Sequence, residues 1–360
     1  MLKYVDVIVD LQYGDSGKGK ISYNLAKTGD YNLCMRVNGS QNAGHTIFHN
    51  GKKFVTHMVP CGIFHGIECY IGPGCVLNLD KFIKEVKDLR EQGFNKEIYV
   101  ASNVHLITDE HIAEDSKDEK IGTTKSGVGP CYRDKYSRVG KTLGEYLKET
   151  DGVYIKLFDL NIKISGDLKI PDFEKQSIIR DIHCIPSLNL IESKILVEGA
   201  QGFYLDIDWG DYPYVTSSHC GVGATVLNGI PPQKIRKVYG VIKPYETYVG
   251  AKKFQPDNNY GLEKLQEIGK EFGATTGRKR QCNWLNLSRL YYAIAANGIT
   301  DLIINKTDVF QDVGYFCYYN MNGELEQQSK LEDFMNVVEA LAKSVNSNIN
   351  VKWSYSPDTI

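Results

Sequence analysis

Tyr4-Val-Asp-Val-Ile-Val-Asp-Leu-Gln-Tyr-Gly-Asp-Ser-Gly-Lys-Gly-Lys20 decides the fold class. Residues 4–11 form a short, largely β-branched apolar run, which reads as a buried strand. A glycine-rich turn follows at once, and residues 21–26 open a helix. Glycines 14, 17 and 19 let backbone N–H groups approach phosphate oxygens, the helix start adds its positive dipole end, and Lys18 and Lys20 supply cations. The segment reads as a triphosphate cradle. It is not the common Gly-x-x-x-x-Gly-Lys-[Ser/Thr] loop, because position 21 is Ile21; Asp15 therefore becomes the candidate magnesium ligand. A glycine-rich turn with structural lysines is the plainer alternative.

Outward from this loop, further short strand-like runs occupy residues 32–37, 97–101, 194–198, 237–242 and 301–305. Helix-length amphipathic stretches lie between several of them, among them 79–92 and 286–297. The alternation predicts an α/β fold: a large, mainly parallel central sheet flanked by helices. With no repeat or low-complexity linker to divide it, residues 1–360 read as one domain with smaller inserted subdomains. In such sheets ligands sit beyond the carboxyl ends of the strands. The polar, glycine-rich segments fall at those ends: 14–20 after the first strand, 199–202 after Glu198, and 305–308 after Ile304.

Composition narrows the function. The chain has 360 residues, 42% hydrophobic and 24% charged, with a net charge of −2. A near-neutral balance gives no basic field for a nucleic-acid polymer. Nine cysteines form no Cys-x-x-Cys pair and eight histidines no His-Glu-x-x-His, which argues against a zinc site and suits a reducing cytoplasm. Asp6 and Asp10 interrupt the first apolar run, unlike a signal peptide or a membrane span. The 34 glycines are about 9% of the chain against a usual ~7%, and they cluster in the polar segments.

Asn305-Lys-Thr-Asp308 matches the guanine-reading element Asn-Lys-x-Asp of GTP-binding proteins. A carboxylate there accepts from N1–H and the 2-amino group of guanine, whereas adenine presents an acceptor at N1. Alone, a capped strand end explains four residues equally well; with the phosphate loop, GTP becomes the expected donor. Four further segments have no place in a GTPase switch. They are Asn42-Ala-Gly-His-Thr46; residues 122–130 with Asp134 and Arg138; Glu198-Gly-Ala-Gln-Gly202 with residues 212–217; and Thr275-Thr-Gly-Arg-Lys-Arg280 with Trp284. Taken in this order, the set resembles the adenylosuccinate synthetase family over nearly the whole chain.

The resemblance implies a GTP- and magnesium-dependent ligase that joins L-aspartate to C6 of a 6-oxopurine nucleotide through a 6-phosphoryl intermediate. It makes Asp15 the N1 base and, with the carbonyl of Gly44, a ligand of Mg2+. His45 donates to the charge between O6 and the γ-phosphate, and Lys18 neutralises the transferring group. GTP would be held by Gly14, Ser16, Gly17, Lys18, Gly19, Lys20, Gly44, His45, Thr46, Arg280, Lys306, Thr307, Asp308, Ser354, Tyr355 and Ser356. The purine nucleotide falls to Asp15, Asn42, Ala43, Thr124, Gln201, Thr216 and Arg278, with Arg138 reaching the 5′-phosphate from a neighbouring subunit of a homodimer. Aspartate is assigned to Ala274, Thr275, Thr276, Gly277, Arg278 and Arg280.

Several positions depart from the family pattern. Tyr13 and Ser16 replace a tryptophan and a glutamate of the phosphate loop. Tyr248 stands where an arginine is usual, Ala251-Lys-Lys-Phe254 where Gly-Pro-Phe-Pro is usual, and Gln281, Asn283 and Ser356 also differ. The short chain is like the archaeal members. Its opening, Ser16 and Gly229-Ile-Pro231 look closer to the bacteriophage 2-aminoadenylosuccinate synthetases of the diaminopurine DNA pathway, which would place it in a host cytoplasm. That likeness makes dGMP the favoured acceptor, with room for its 2-amino group beside Ser16, while Asp15 and Asp308 keep GTP as donor. IMP is the alternative acceptor, and a non-catalytic nucleotide-binding protein the remote one.

Overall fold

The computed structural model describes residues 2–150, 160, 162–165, 193–257, 259–273 and 277–357. Its central sheet has nine strands in the order Asn350–Trp353, Asp301–Ile304, Ile235–Ile242, Tyr4–Asp10 (β1), Lys194–Glu198, Leu33–Arg36, Glu68–Ile71, Ile98–Ala101 and Ile162–Ser165. Every pairing in it is parallel. The α/β expectation holds, and each run read as a strand lies in this sheet. Three strands were not legible as runs. Glu68–Ile71 has only four residues, and Ile162–Ser165 and Asn350–Trp353 are the two edges. The second edge alternates exposed and half-buried residues, because an edge buries less side-chain surface than a central strand.

The two longer predicted helices form as Leu79–Glu91 and Leu287–Asn297. Each starts at an asparagine whose side chain accepts a backbone N–H of the first turn: Asn78 from Lys81 and Asn286 from Arg289, both at 3.0 Å. A second, four-stranded sheet of mixed direction comprises Tyr245–Tyr248, Gln281–Asn286, Phe316–Tyr319 and Leu325–Gln328. One buried apolar cluster includes residues of both sheets, such as Val7, Val197, Ile242, Cys282, Trp284 and Tyr318.

Buried carboxylates on β1 are fully engaged. Asp6 accepts from Arg236 Nε at 3.0 Å and from Tyr31 OH at 2.6 Å, as a buried charge requires. Because the strands are parallel and in register, Asp10, Arg36, Glu198, Ile242, Ile304 and Trp353 end on one edge. The loops leaving that edge build the site. Among the described residues no helix is long and apolar enough to cross a membrane.

Candidate active site

The phosphate loop is organised from beneath by Asp10, the last residue of β1. Its carboxylate accepts the backbone N–H groups of Gln12 (2.9 Å), Gly14 (3.3 Å) and Ser16 (3.1 Å), and Lys18 Nζ stands 3.3 Å away. Lys18 also donates to the Gln201 carbonyl at 2.5 Å. Gly17, at φ 96°, then opens the helix Lys18–Thr28 (α1). Asn305 locks the loop from the other side by donating to the Ser16 carbonyl at 2.8 Å, and a Cβ on Gly17 would meet its amide nitrogen at 2.7 Å. The phosphate loop and the predicted base-reading strand end are thus in direct contact.

Above the loop lies a cavity of about 600 Å³. Its lining brings together Gly14, Asp15, Gly17, Lys18 and Gly19 of the loop with Asn42, Ala43, Gly44, His45 and Thr46. Thr124, Gln201, Thr216, Arg278 and Arg280 complete the predicted residues on its walls. Segments from five regions of the sequence therefore share one chamber, as the motif order implied.

Two acid–base groups stand on its wall, each with a buried partner. His45 is 8% exposed, and its Nδ1 lies 2.5 Å from Glu198 Oε1. Burial pushes the imidazole below its usual value despite the pull of Glu198. For Glu198 the balance is reversed: burial pushes upward, but His45, Arg36 and Ser22 hold its carboxyl well below the usual carboxylate range. Around the second group, Arg280 grips Asp15 Oδ2 through Nε and Nη2, both at 2.8 Å. The Nη1 of Arg280 is 2.5 Å from the fully buried Glu271. Lys243 Nζ (3.3 Å) and Tyr245 OH (2.7 Å) also reach Glu271, and against the upward push of burial the cations Lys243, Lys306 and Arg280, with the Tyr245 hydrogen bond, bring its carboxyl down to about 2.

The remaining predicted residues separate into groups. Arg278 donates to the carbonyls of Gly122 (3.0 Å) and Thr123 (3.2 Å), joining two walls of the cavity. Gly277 lies nearby at φ 64°, while Ala274, Thr275 and Thr276 lie outside the described residues. Lys306, Thr307, Asp308, Ser354, Tyr355 and Ser356 gather beyond the cavity lining at the ends of the strands Asp301–Ile304 and Asn350–Trp353. Lys20 ties this group to α1, donating to Ser354 Oγ at 2.5 Å and the Ser356 carbonyl at 2.8 Å. Lys306 donates to the Gly269 carbonyl at 2.6 Å. Arg138 ends the helix Val128–Ser137 at φ 64°, exposed and off the cavity of its own chain.

One expectation is corrected here. Ser16 is 1% exposed, and its hydroxyl donates to Gln12 Oε1 at 3.1 Å. The side chain turns beneath the loop, where the Asp10 carboxylate accepts the Ser16 backbone N–H, and Ser16 is not among the residues that line the cavity. Other departures from the family pattern meet one another. Tyr13 packs against Phe254, Tyr248 and Tyr204 with ring centroids 4.9, 5.6 and 5.6 Å apart. Gln281 accepts the N–H groups of Phe254 (2.8 Å) and Gln255 (3.2 Å) and donates to the Lys252 carbonyl at 2.8 Å. Asn283 donates to the Phe254 carbonyl at 3.0 Å. The altered 251–254 segment is thus held by the altered residues 281 and 283.

Sequence reasoning missed Asp10, Glu198 and Glu271 as site-forming groups. Asp10 and Glu198 did carry a sign, an acid closing a buried apolar strand immediately before a glycine-rich turn. Glu271, two residues past the Gly269 cap of the helix Tyr260–Ile268, carried none.

Comparison with known proteins agrees with this geometry. The family model "Adenylosuccinate synthetase" matches residues 7–349. The adenylosuccinate synthetase of Brugia malayi is 39% identical over 336 residues, covering 85% of this chain and 77% of the relative. The fully ligated adenylosuccinate synthetase of Plasmodium falciparum superimposes with a TM-score of 0.76 at 29% identity, covering 99% of this chain and 98% of that one. The succinoaminodeoxyadenylate synthetase of cyanophage S-2L, bound to dGMP and dATP, gives a TM-score of 0.72 at 21% identity, over 99% and 94%; at that identity it shares the fold. The chain belongs to the adenylosuccinate synthetase family and is a GTP-dependent ligase that forms a carbon–nitrogen bond.

Proposed function

We propose that this enzyme joins L-aspartate to C6 of IMP, using GTP as phosphoryl donor. The observation that carries the reading is the placement of Asp15 and His45 on one cavity directly above the phosphate loop. The C6 oxygen of a 6-oxopurine is amide-like and a poor leaving group. Asp15 takes the N1 proton, O6 attacks the γ-phosphorus, and GDP departs; His45 and Lys18 stabilise the charge that passes between O6 and the phosphoryl oxygens. The aspartate amine then adds at C6, the C6–O bond breaks, and phosphate leaves with the oxygen. Arg278 and Arg280 are suited to the carboxylates of aspartate by their forked donors.

Asp15 and Gly44 both line the cavity, and a carboxylate with a backbone carbonyl is a hard oxygen donor set that would fit a magnesium ion. When bound, that ion would supply Lewis-acid neutralisation of the phosphate charge.

IMP is preferred over dGMP on two grounds. The Brugia relative, 39% identical, is an adenylosuccinate synthetase, whereas the phage enzyme bound to dGMP is 21% identical. Ser16, the residue expected to admit a 2-amino group, points its hydroxyl at Gln12 instead. The guanine of GTP is assigned to Lys306, Thr307, Asp308 and the 354–356 segment, adjoining the loop through Asn305 and Lys20. Residues 1–360 act as one unit, in a cytoplasmic homodimer whose second copy offers Arg138.

Phosphate release with GTP, magnesium and aspartate, measured with IMP, dGMP and GMP in turn, tests this. IMP should turn over fastest; faster turnover of dGMP would return the phage-type reading, and equal use of ATP would sink the assignment of Asp308.

A further inference from the structure

Glu198 is fully buried, and four separate elements converge on it. Its Oε2 accepts from Ser22 Oγ of α1 at 2.5 Å and from the backbone N–H of Cys61 at 2.9 Å. Its Oε1 lies 2.5 Å from His45 Nδ1 and 3.2 Å from Arg36 Nη1. An imidazole nitrogen and a carboxylate oxygen cannot approach to 2.5 Å lone pair against lone pair, so a proton lies between them and belongs to Nδ1. Arg36 Nη1 is also 3.2 Å from that nitrogen, which has no lone pair left for it; its hydrogen bond therefore goes to Glu198. Arg36 is 1% exposed and provides the cation that keeps Glu198 anionic inside the protein.

From this geometry we infer that Glu198 is a positioning residue for the reaction, holding the Nδ1–H edge of His45 so that the ring presents its Nε2 edge to the cavity. The inference rests on the role given to His45 above. The carboxylate at Nδ1 fixes the ring without touching substrate. Ser22 links the same carboxylate to α1, so the phosphate loop and the imidazole share one anchor. No bond to substrate is made or broken by Glu198.

The test compares two variants. Glu198→Gln keeps an oxygen acceptor without charge. Arg36→Met with Glu198→Leu removes both charges together, which avoids leaving a lone buried ion. In the wild type, imidazole-labelled 15N spectra should show His45 protonated at Nδ1. In the double variant the ring should shift toward the Nε2–H form, and kcat should fall by roughly 100-fold while KM for GTP and the purine nucleotide changes less than about threefold. Glu198→Gln should fall between. If the double variant lacks a cooperative thermal transition, Glu198→Gln alone decides, through the same spectrum and the same kcat-to-KM split.

Persistence of the Nδ1–H form in the variant that decides, or wild-type kcat with an altered tautomer, overturns the inference. His45→Asn separates the two levels: full turnover in that variant sinks the role of His45 itself, whereas loss there with unaffected Glu198 variants sinks only Glu198.

Discussion

His45 packs directly on the backbone of Gly19: a Cβ built on Gly19 would lie 2.6 Å from His45 Cβ and 3.1 Å from its Cγ. Gly19 is the second residue of α1, so the helix that follows the phosphate loop also seats the imidazole. No larger residue fits at position 19 without moving His45 off the cavity wall.

Gly19→Ala should therefore lower kcat by roughly 10- to 100-fold. Alanine favours a helix over glycine by about 1 kcal/mol, which offsets part of the roughly 1–3 kcal/mol that the crowding costs, so the melting temperature should fall only slightly. A kinetic loss together with a large drop in melting temperature would instead indicate general damage to the loop.

Asp15 faces the cavity with one oxygen held by Arg280. Asp15→Asn keeps the size of the side chain and loses the base. Turnover should fall by at least about 1,000-fold, while the dissociation constant for the purine nucleotide, measured by calorimetry, moves less than tenfold. Surviving turnover would mean that another group takes the N1 proton.

Donor choice should follow the residue at 308. With Asp308→Asn the carboxylate acceptor for guanine N1–H and the 2-amino group becomes an amide that can donate toward a 2-oxo group instead. The variant should lose roughly 100-fold in kcat/KM for GTP and recover with xanthosine triphosphate. Unchanged GTP use would place the guanine elsewhere.

The buried Glu271 makes stability depend on pH. Its folded-state carboxyl is brought down to about 2, below an unfolded value near ~4.3. A depressed acid adds stability that is present above the unfolded value and is lost as pH falls through the folded one, here on the order of 3 kcal/mol. Denaturant unfolding of Glu271→Gln should show the largest deficit from wild type above pH ~5 and a shrinking one toward pH ~2. A deficit independent of pH would assign the loss to packing.

Gln281 fixes the 250–255 segment through both ends of its amide. In Gln281→Ala the amides of Phe254 and Gln255 should lose hydrogen-exchange protection by roughly tenfold or more. Unchanged exchange would show that the aromatic packing of Tyr13, Tyr248 and Phe254 suffices.

Much of the fold was legible because its central strands are buried on both faces. Residues 4–11, 194–198 and 301–305 read as apolar runs for that reason, whereas Asn350–Trp353, an edge, did not. The phosphate loop was legible because glycine spacing reports backbone conformation. Ser16 misled because a residue type states nothing about its direction; the Asp10 carboxylate, six residues earlier, decides that.

The sequence by itself determined the sheet class, the chamber's motifs and the family, since these depend on local periodicity and on residues adjacent in the chain. Only the tertiary structure decided how those residues are paired. Glu198 reaches His45 across 153 positions and Arg280 reaches Asp15 across 265, and such contacts are fixed by strand register and parallel crossovers rather than by any local pattern. The same folding set the departures at 251–254 against those at 281 and 283, and it turned the Ser16 hydroxyl toward Gln12.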